Sequence, residues 1–500
     1  MKRKYHILSI IISAALLAGC LSACGESSTI GGSSSDENTA AAVTTPDTTA
    51  DVEAPDVSGA TTITLSGQSA AATGTGAEVT DGVVTITAGG TYVVTGTMTE
   101  GRILVNAPKE EVTLVLQDAS ITCSTGSPLY VYKSKATTLY LPEGTDSTLT
   151  DGTDYTFSDS YSSAEEEEPN ACLYSKSDLV IAGSGSLTVN ANYNNGITGK
   201  DTLFIQKASV TVTAVNHGIN GKDSLTIKDA DITVTSGGDA LRSTNDSDTT
   251  LGYLVITGSA LKLTAGEDGI QAETTLTISG GKISIVASDD GINAAGGSDQ
   301  SGFGGFGFAP DAFGGSGDYL IRISGGVVTV NASGDGIDSN GDIEVTGGEL
   351  YISGPTSNGD GTIDCDGSAT ITGGIVVAAG STGMAENFGT ASTQGSILVN
   401  LSGSAGQAIT LKDSDGDILA SFTPAKAFGC VVVSAPGVAQ GGTYTIAAGG
   451  ASTTVTMESL IYGSGMGGFG GMGGGMGDPG NMGGGQQPPQ GGMGGPGNRG

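Results

Sequence analysis

The chain contains no tryptophan, and 14 tyrosines and 10 phenylalanines are all the aromatic surface in its 500 residues. Basic residues are scarce as well: 19 Lys and Arg stand against 52 Asp and Glu, a formal charge of −33. With no basic patch to neutralise phosphates, duplex DNA or RNA is excluded as a partner. Long helical patterns are almost absent. Of the six cysteines, Cys123, Cys172, Cys365 and Cys430 lie beyond the N-terminal leader. Their spacing is not that of a zinc site, and they read as small buried hydrophobes, with a Cys123–Cys172 disulfide as the one pairing considered. Neither G-x-S-x-G nor a Cys/His nucleophile arrangement occurs.

Glycine is abundant, at 86 residues, but has no G-X-Y period, which excludes collagen. Val/Ile/Thr alternation runs through most of the chain and argues against a disordered one.

Lys2, Arg3 and Lys4 precede an apolar stretch from Ile7 to Ala18, the layout of a signal peptide too short for a membrane span. It ends in Leu17-Ala18-Gly19-Cys20 and again in Leu21-Ser22-Ala23-Cys24. Both resemble the bacterial lipobox, so Cys24, or else Cys20, is expected to carry lipid and hold the protein at the outer face of the membrane. Residues 25–58 hold too few apolar side chains to pack and read as a disordered tether.

The main feature is an internal repeat. The last residues of Leu203-Phe204-Ile205, Leu225-Thr226-Ile227, Leu254-Val255-Ile256, Leu276-Thr277-Ile278, Ile321-Arg322-Ile323, Ile343-Glu344-Val345 and Ala369-Thr370-Ile371 are spaced 22, 29, 22, 45, 22 and 26 apart. The 45 reads as two units, one swollen by an insertion. Each unit continues with an alternating strand such as Ile232-Thr233-Val234 and a short step such as Asp268-Gly269-Ile270, Asp290-Gly291-Ile292 or Asp335-Gly336-Ile337. Three short strands in about 22 residues predict one turn of a single-stranded parallel β-helix (solenoid), all-β throughout. The expected division is an N-terminal cap over 59–100, the helix over 101–400 with insertions near 151–171 and 297–317, C-terminal β-structure over 401–460, and a disordered Gly/Met-rich tail over 461–500. The first insertion, with Glu165 to Glu168, reads as a solvated acidic loop. The second carries Phe303, Phe306, Phe308 and Phe313 and reads as local packing, a lid or a ligand-stacking surface.

Corners recurring once per turn lie above one another. Asp268, Asp290, Asp335 and Asp360 are therefore expected in one column with Asp239, with Glu267 and Asp289 beside it and Asp338, Asp364 and Asp366 a few residues on. Carboxylates that close repel unless compensated. A hard divalent cation on oxygen ligands would compensate them, and calcium fits best. Asn293, Asn340 and Asn358 are further oxygen donors. The plainer alternative is that each Asp caps its turn by accepting a backbone N–H. The pattern is neither an EF-hand nor an RTX repeat. Arg242 is the one Arg near the column and a weak candidate for the base of a calcium-dependent lyase.

The lipobox, the segment Gly89-Gly90-Thr91-Tyr92-Val93-Val94-Thr95-Gly96, the G-x-D-x-L-x-I and D-G-I units and the Gly/Met-rich end together resemble the carbohydrate-binding β-helix lipoproteins of clostridia and related Firmicutes. That resemblance covers about residues 60–455. It implies a right-handed parallel β-helix related in shape to pectate lyases, bound calcium and binding of plant polysaccharides, including acidic ones such as polygalacturonate. Cellulose is a weaker match without tryptophan, unless Tyr253, Tyr319 or Tyr351 serves as a platform. The expectation is a monomeric polysaccharide binder rather than an enzyme, with a lyase or a calcium-stapled surface stalk as alternatives.

Overall fold

The computed structural model describes residues 50–294 and 319–463. The leader with Cys20 and Cys24, the four-Phe insertion and the tail from 464 onward lie outside the described residues.

The chain coils as a parallel β-helix with three faces. On the first face Leu179, Leu203, Leu225, Leu254, Leu276, Ile321, Ile343 and Ala369 stack in register. On the second, Val189, Val212, Val234, Leu263, Ile285, Val330, Ile352 and Ala378 do the same. The third is built from the D-G-I steps and aligns Leu173, Ile197, Ile219, Leu241, Ile270, Ile292 and Ile337. Alternation turns these residues into one continuous, fully buried core, each contributing about 1.5–3 kcal/mol by leaving water. Successive turns bond through their backbones, so each strand satisfies the one before it.

The spacing of 45 is one turn, not two. Leu276 pairs directly with Ile321, and Ile292 with Ile337, so the extra 23 residues (45 − 22) are an insertion within a single turn. Glycine of the D-G-I step is required by the next turn. A Cβ on Gly269 would lie 2.5 Å from the carbonyl oxygen of Gly291, and one on Gly291 would lie 2.6 Å from that of Gly336.

Both ends of the helix leave parallel pairing. Thr61–Gly67 pairs antiparallel with Ser69–Thr73, and Ala77–Thr80 with Val83–Ile86, which covers the first turn. At the other end Phe428–Ser434 runs antiparallel to Ile375–Gly380 and to Ser396–Gly403. A four-stranded antiparallel sheet, Ile418–Phe422, Ile409–Lys412, Thr443–Ala448 and Ala451–Thr456, packs over these through a second core. Lys426 ties this module back to the helix: its ammonium donates to the Ala332 carbonyl, and the Ala425 N–H donates to Ser353 Oγ at 2.9 Å. Burial pushes the Lys426 pKa down.

Three local readings change. Residues 50–58, assigned to the tether, include a docked segment: Asp51 pairs with Lys207 at 2.5 Å and Lys228 at 3.1 Å, and the Val52 N–H donates to Gln206 Oε1 at 2.7 Å. All four cysteines are free, so Cys123 and Cys172 are not bridged. In the acidic loop Glu165, Glu166 and Glu167 are exposed, but Glu168 is buried and bound by Lys176 at 2.5 Å and Lys200 at 2.8 Å. Burial raises the Glu168 pKa, yet the two lysines outweigh it and bring it to about 2.

A carboxyl with a lowered folded-state pKa contributes stability above its unfolded value, which is lost as pH falls toward the folded value. Glu168 therefore stabilises the protein above about pH 4.5 and stops doing so by about pH 2. Acid titration followed by circular dichroism should show Glu168→Gln less stable than the native chain at pH 7 by about 2 kcal/mol, after allowance for the partly exposed lysines. The difference should close on acidification; a constant difference across that range would contradict it.

Candidate functional site

The corner between the second and third faces holds three columns of polar residues. Between the aligned Ala214, Ser236, Ala265, Ala287 and Ala332 and the glycine or alanine of the next step, each turn spends three residues. The third of these forms the column His217, Asp239, Asp268, Asp290 and Asp335, continued upstream by Asn195. The second gives Asn216, Gly238, Glu267, Asp289 and Gly334, so Glu267 and Asp289 are exposed beside the column. Along the third face itself, Thr198, Asn220, Arg242, Gln271, Asn293, Asp338 and Asp364 align.

Asp360 is not in the column. Ile337 stands opposite Ile363 because Asp338 pairs with Asp364, which places Gly361 opposite Asp335. The corner from Pro355 to Thr362 is longer than the others, and Asp360 bonds there to Ser357 Oγ at 2.6 Å.

Each carboxylate in the column accepts the backbone N–H of the next corner. Asp239 Oδ1 takes that of Asp268 at 3.1 Å, Asp268 Oδ1 that of Asp290 at 3.0 Å, and Asp290 Oδ1 that of Asp335 at 2.5 Å. Asp335 Oδ1 takes that of Gly361. Asn195 Oδ1 does the same for His217 at 3.2 Å, and His217 Nδ1 for Asp239 at 3.0 Å, so the ladder needs an acceptor and not a charge. One oxygen of each Asp is thus structural, and a second is left for other partners.

Those partners differ along the column. Asp239 Oδ2 lies 3.2 Å from Arg242 Nη1 and 3.1 Å from His217 Nδ1. Arg242 Nη1 also meets His217 Nε2 at 2.9 Å, and His217 Nδ1 accepts the Asp239 N–H at 3.0 Å. Burial pushes Asp239 up, but the His217 hydrogen bond and the His217 and Arg242 charges prevail and hold it low. Asp268 Oδ2 receives Asn293 Nδ2 at 3.0 Å. Burial, and then the Asp239 charge, raise Asp268 to about 8. Asp335 also rises to about 8, by burial first and then by Asp364, Asp338 and Asp360.

Two clusters bring ligand atoms within 4.8 Å of one another: His217, Asp239 and Glu267, and Asp290, Asp335 and Asp338. In the first, Arg242 already supplies the positive charge. The second is all oxygen and acidic, the donor set of a hard cation such as calcium. Asp364 lies one turn beyond Asp338 and is raised by burial and by Asp366. The repeat gave no hint of Glu386, which burial and Asp364 raise to about 7; it comes from a non-repeating segment. Of the three expected tyrosines, Tyr253 is buried, whereas Tyr319 and Tyr351 are partly exposed, Tyr351 stacking on Phe422 with centroids 5.3 Å apart.

Carboxyls raised in the folded state favour it while protonated, and that contribution is lost as pH climbs through the folded value. In chelator, the melting temperature should therefore fall between about pH 5 and pH 8, and the double variant Asp268→Asn, Asp335→Asn should flatten that slope. An equal slope in the variant would show that these two groups are not its source.

A family model described as carbohydrate-binding domain-containing protein matches residues 80–386. A carbohydrate-binding domain-containing protein of Acetivibrio thermocellus is 37% identical over 140 residues, 28% of this chain and 48% of that one. The match therefore spans about half the length of that curated relative. A solved structure of a polysaccharide lyase-like protein from C. thermocellum, a gadolinium derivative, aligns over 63% of this chain and 97% of its own at 27% identity, with a TM-score of 0.43. The family match takes in most of the β-helix and every corner of the polar columns up to Asp364, and on it the chain belongs to the family of carbohydrate-binding domain-containing proteins.

Proposed function

We propose that this protein binds acidic polysaccharides such as polygalacturonate through calcium, from the outer face of a bacterial membrane to which a lipid on Cys24 or Cys20 anchors it. The observation that carries the reading is the convergence of Asp290, Asp335 and Asp338 on the polar corner of a carbohydrate-binding family fold. A chain of charge −33 repels an acidic glycan unless positive charge lies between them. Asp290, Asp335 and Asp338 would hold calcium, which would supply that positive charge. The chain's own part is to hold three carboxylates together at a fixed corner. The ladder of N–H donors does this before any ligand arrives, so little ordering is left to oppose binding.

A second reading, a calcium-dependent lyase, is favoured by Arg242, which lies on the same face three residues beyond Asp239. Against it, the Arg242 guanidinium is engaged by Asp239 and His217 and is poorly placed to take a proton from sugar.

Because an Asn oxygen serves the ladder at position 195, the double variant Asp290→Asn, Asp335→Asn should keep the fold while losing the charge. Calorimetry is expected to show calcium affinity reduced more than tenfold, with calcium-dependent retention on polygalacturonate abolished. Melting in chelator should be unchanged or raised, whereas Ala at the same positions should cost about 1 kcal/mol each. Retention that survives in the Asn variant would sink the proposal. Formation of unsaturated uronate by the native chain, abolished by Arg242→Ala, would establish the lyase instead; calcium stabilisation without glycan retention would leave a surface stalk.

A further inference from the structure

We infer that Tyr193 is a sugar-stacking subsite of the same glycan groove, so that the ligand is an extended chain lying along the stacking axis; this rests on the function proposed above. The first observation is one of register. Ala191 aligns with Ala214, and Ile197 with Ile219, which leaves five residues between the first pair of positions and four between the second. The corner at 192–195 therefore holds one residue more than those that follow, and Asn192 and Tyr193 stand where the next turn has Val215 alone.

The second observation is that this ring is held in position in advance. It stacks on Tyr155 with centroids 4.1 Å apart and planes 14° from parallel. The Tyr155 hydroxyl donates to Asp151 Oδ2 at 2.8 Å and lies 3.1 Å from the Ala171 carbonyl oxygen. Asp151 in turn accepts the Asn192 N–H at 2.5 Å, and Asn192 Nδ2 donates to the Asp151 carbonyl at 2.8 Å. Tyr193 nonetheless stays partly exposed, and Val215, one turn on, is 59% exposed. A flat ring fixed by a second ring, with an aliphatic side chain beside it, suits the C–H face of a sugar.

The third observation is the path from this ring to the carboxylates. Beyond Val215 the first position of each corner is occupied by the small residues Gly237, Gly266, Ser288 and Ser333, with the exposed Glu267 and Asp289 at the next position. Asp290 lies four turns and Asp335 five turns from the corner of Tyr193, about 19–24 Å at the spacing of paired strands. A ligand touching both places must span that distance, which an oligosaccharide several sugars long does and a disaccharide does not.

The test compares digalacturonate with an octagalacturonate by calorimetry in calcium, using the native chain, Tyr193→Ala and Tyr193→Phe. Octamer affinity should fall roughly three- to tenfold in Tyr193→Ala and be retained in Tyr193→Phe, while dimer affinity is the same in all three. Equal octamer affinity in Tyr193→Ala overturns the subsite. Parallel loss of dimer affinity also overturns it, by showing that the ring only supports the corner. If the native chain binds neither sugar in calcium, the proposed function fails and the subsite falls with it, an outcome recognisable because it does not involve position 193.

Discussion

Turns that stack in register repeat whatever they carry at about 4.8 Å. In the interior this is favourable, because a Leu or Ile above another Leu or Ile excludes water from both. At the surface the same repetition places carboxylate over carboxylate, where repulsion and burial act together. The polar corner is organised around relieving that conflict. Asn195 avoids the charge, His217 and Arg242 neutralise Asp239, and backbone N–H groups satisfy one oxygen of every Asp. Beyond Asp239 these devices no longer suffice, and Asp268 and Asp335 are held in the folded chain at about 8.

Turn chemistry accounts for one oxygen of each corner Asp, and the cation binding proposed above would draw on the other where Arg242, His217 or Asn293 does not already hold it. Oδ1 belongs to the ladder, which an amide serves equally well at Asn195. The ladder itself makes no use of the charge, which at Asp239 is met by Arg242.

The same economy governs the ends and insertions. Antiparallel strands cap both ends of the helix, and Lys426 fastens the C-terminal module beside the turn that carries Asp335. The larger insertions lie at corners: several residues between Pro355 and Thr362, and the long segment after Ala294. Within paired strands the departures are small register shifts, as where Val105 and Asn106 face Val131 and Lys133, because a sustained one-residue slip would turn every core side chain outward.

The three-face β-helix was legible in the sequence because alternation and the spacing of 22 are consequences of the stacking itself. So were the Asp239, Asp268, Asp290 and Asp335 column and the positions of Glu267 and Asp289 beside it, since identical steps must superimpose. Register across irregular corners was not legible. Counting spacings cannot tell two turns from one turn with an insertion, as between Leu276 and Ile321, nor show that Gly361 rather than Asp360 follows Asp335. Also hidden were partners drawn from distant segments: Lys200 on Glu168, Glu386 near Asp364, and Tyr155 beneath Tyr193. The sequence by itself determined what repeats, because repetition is local. Only the tertiary structure decided which repeated charges meet a cation of the chain and which gather with one another, because that depends on residues far apart in the chain.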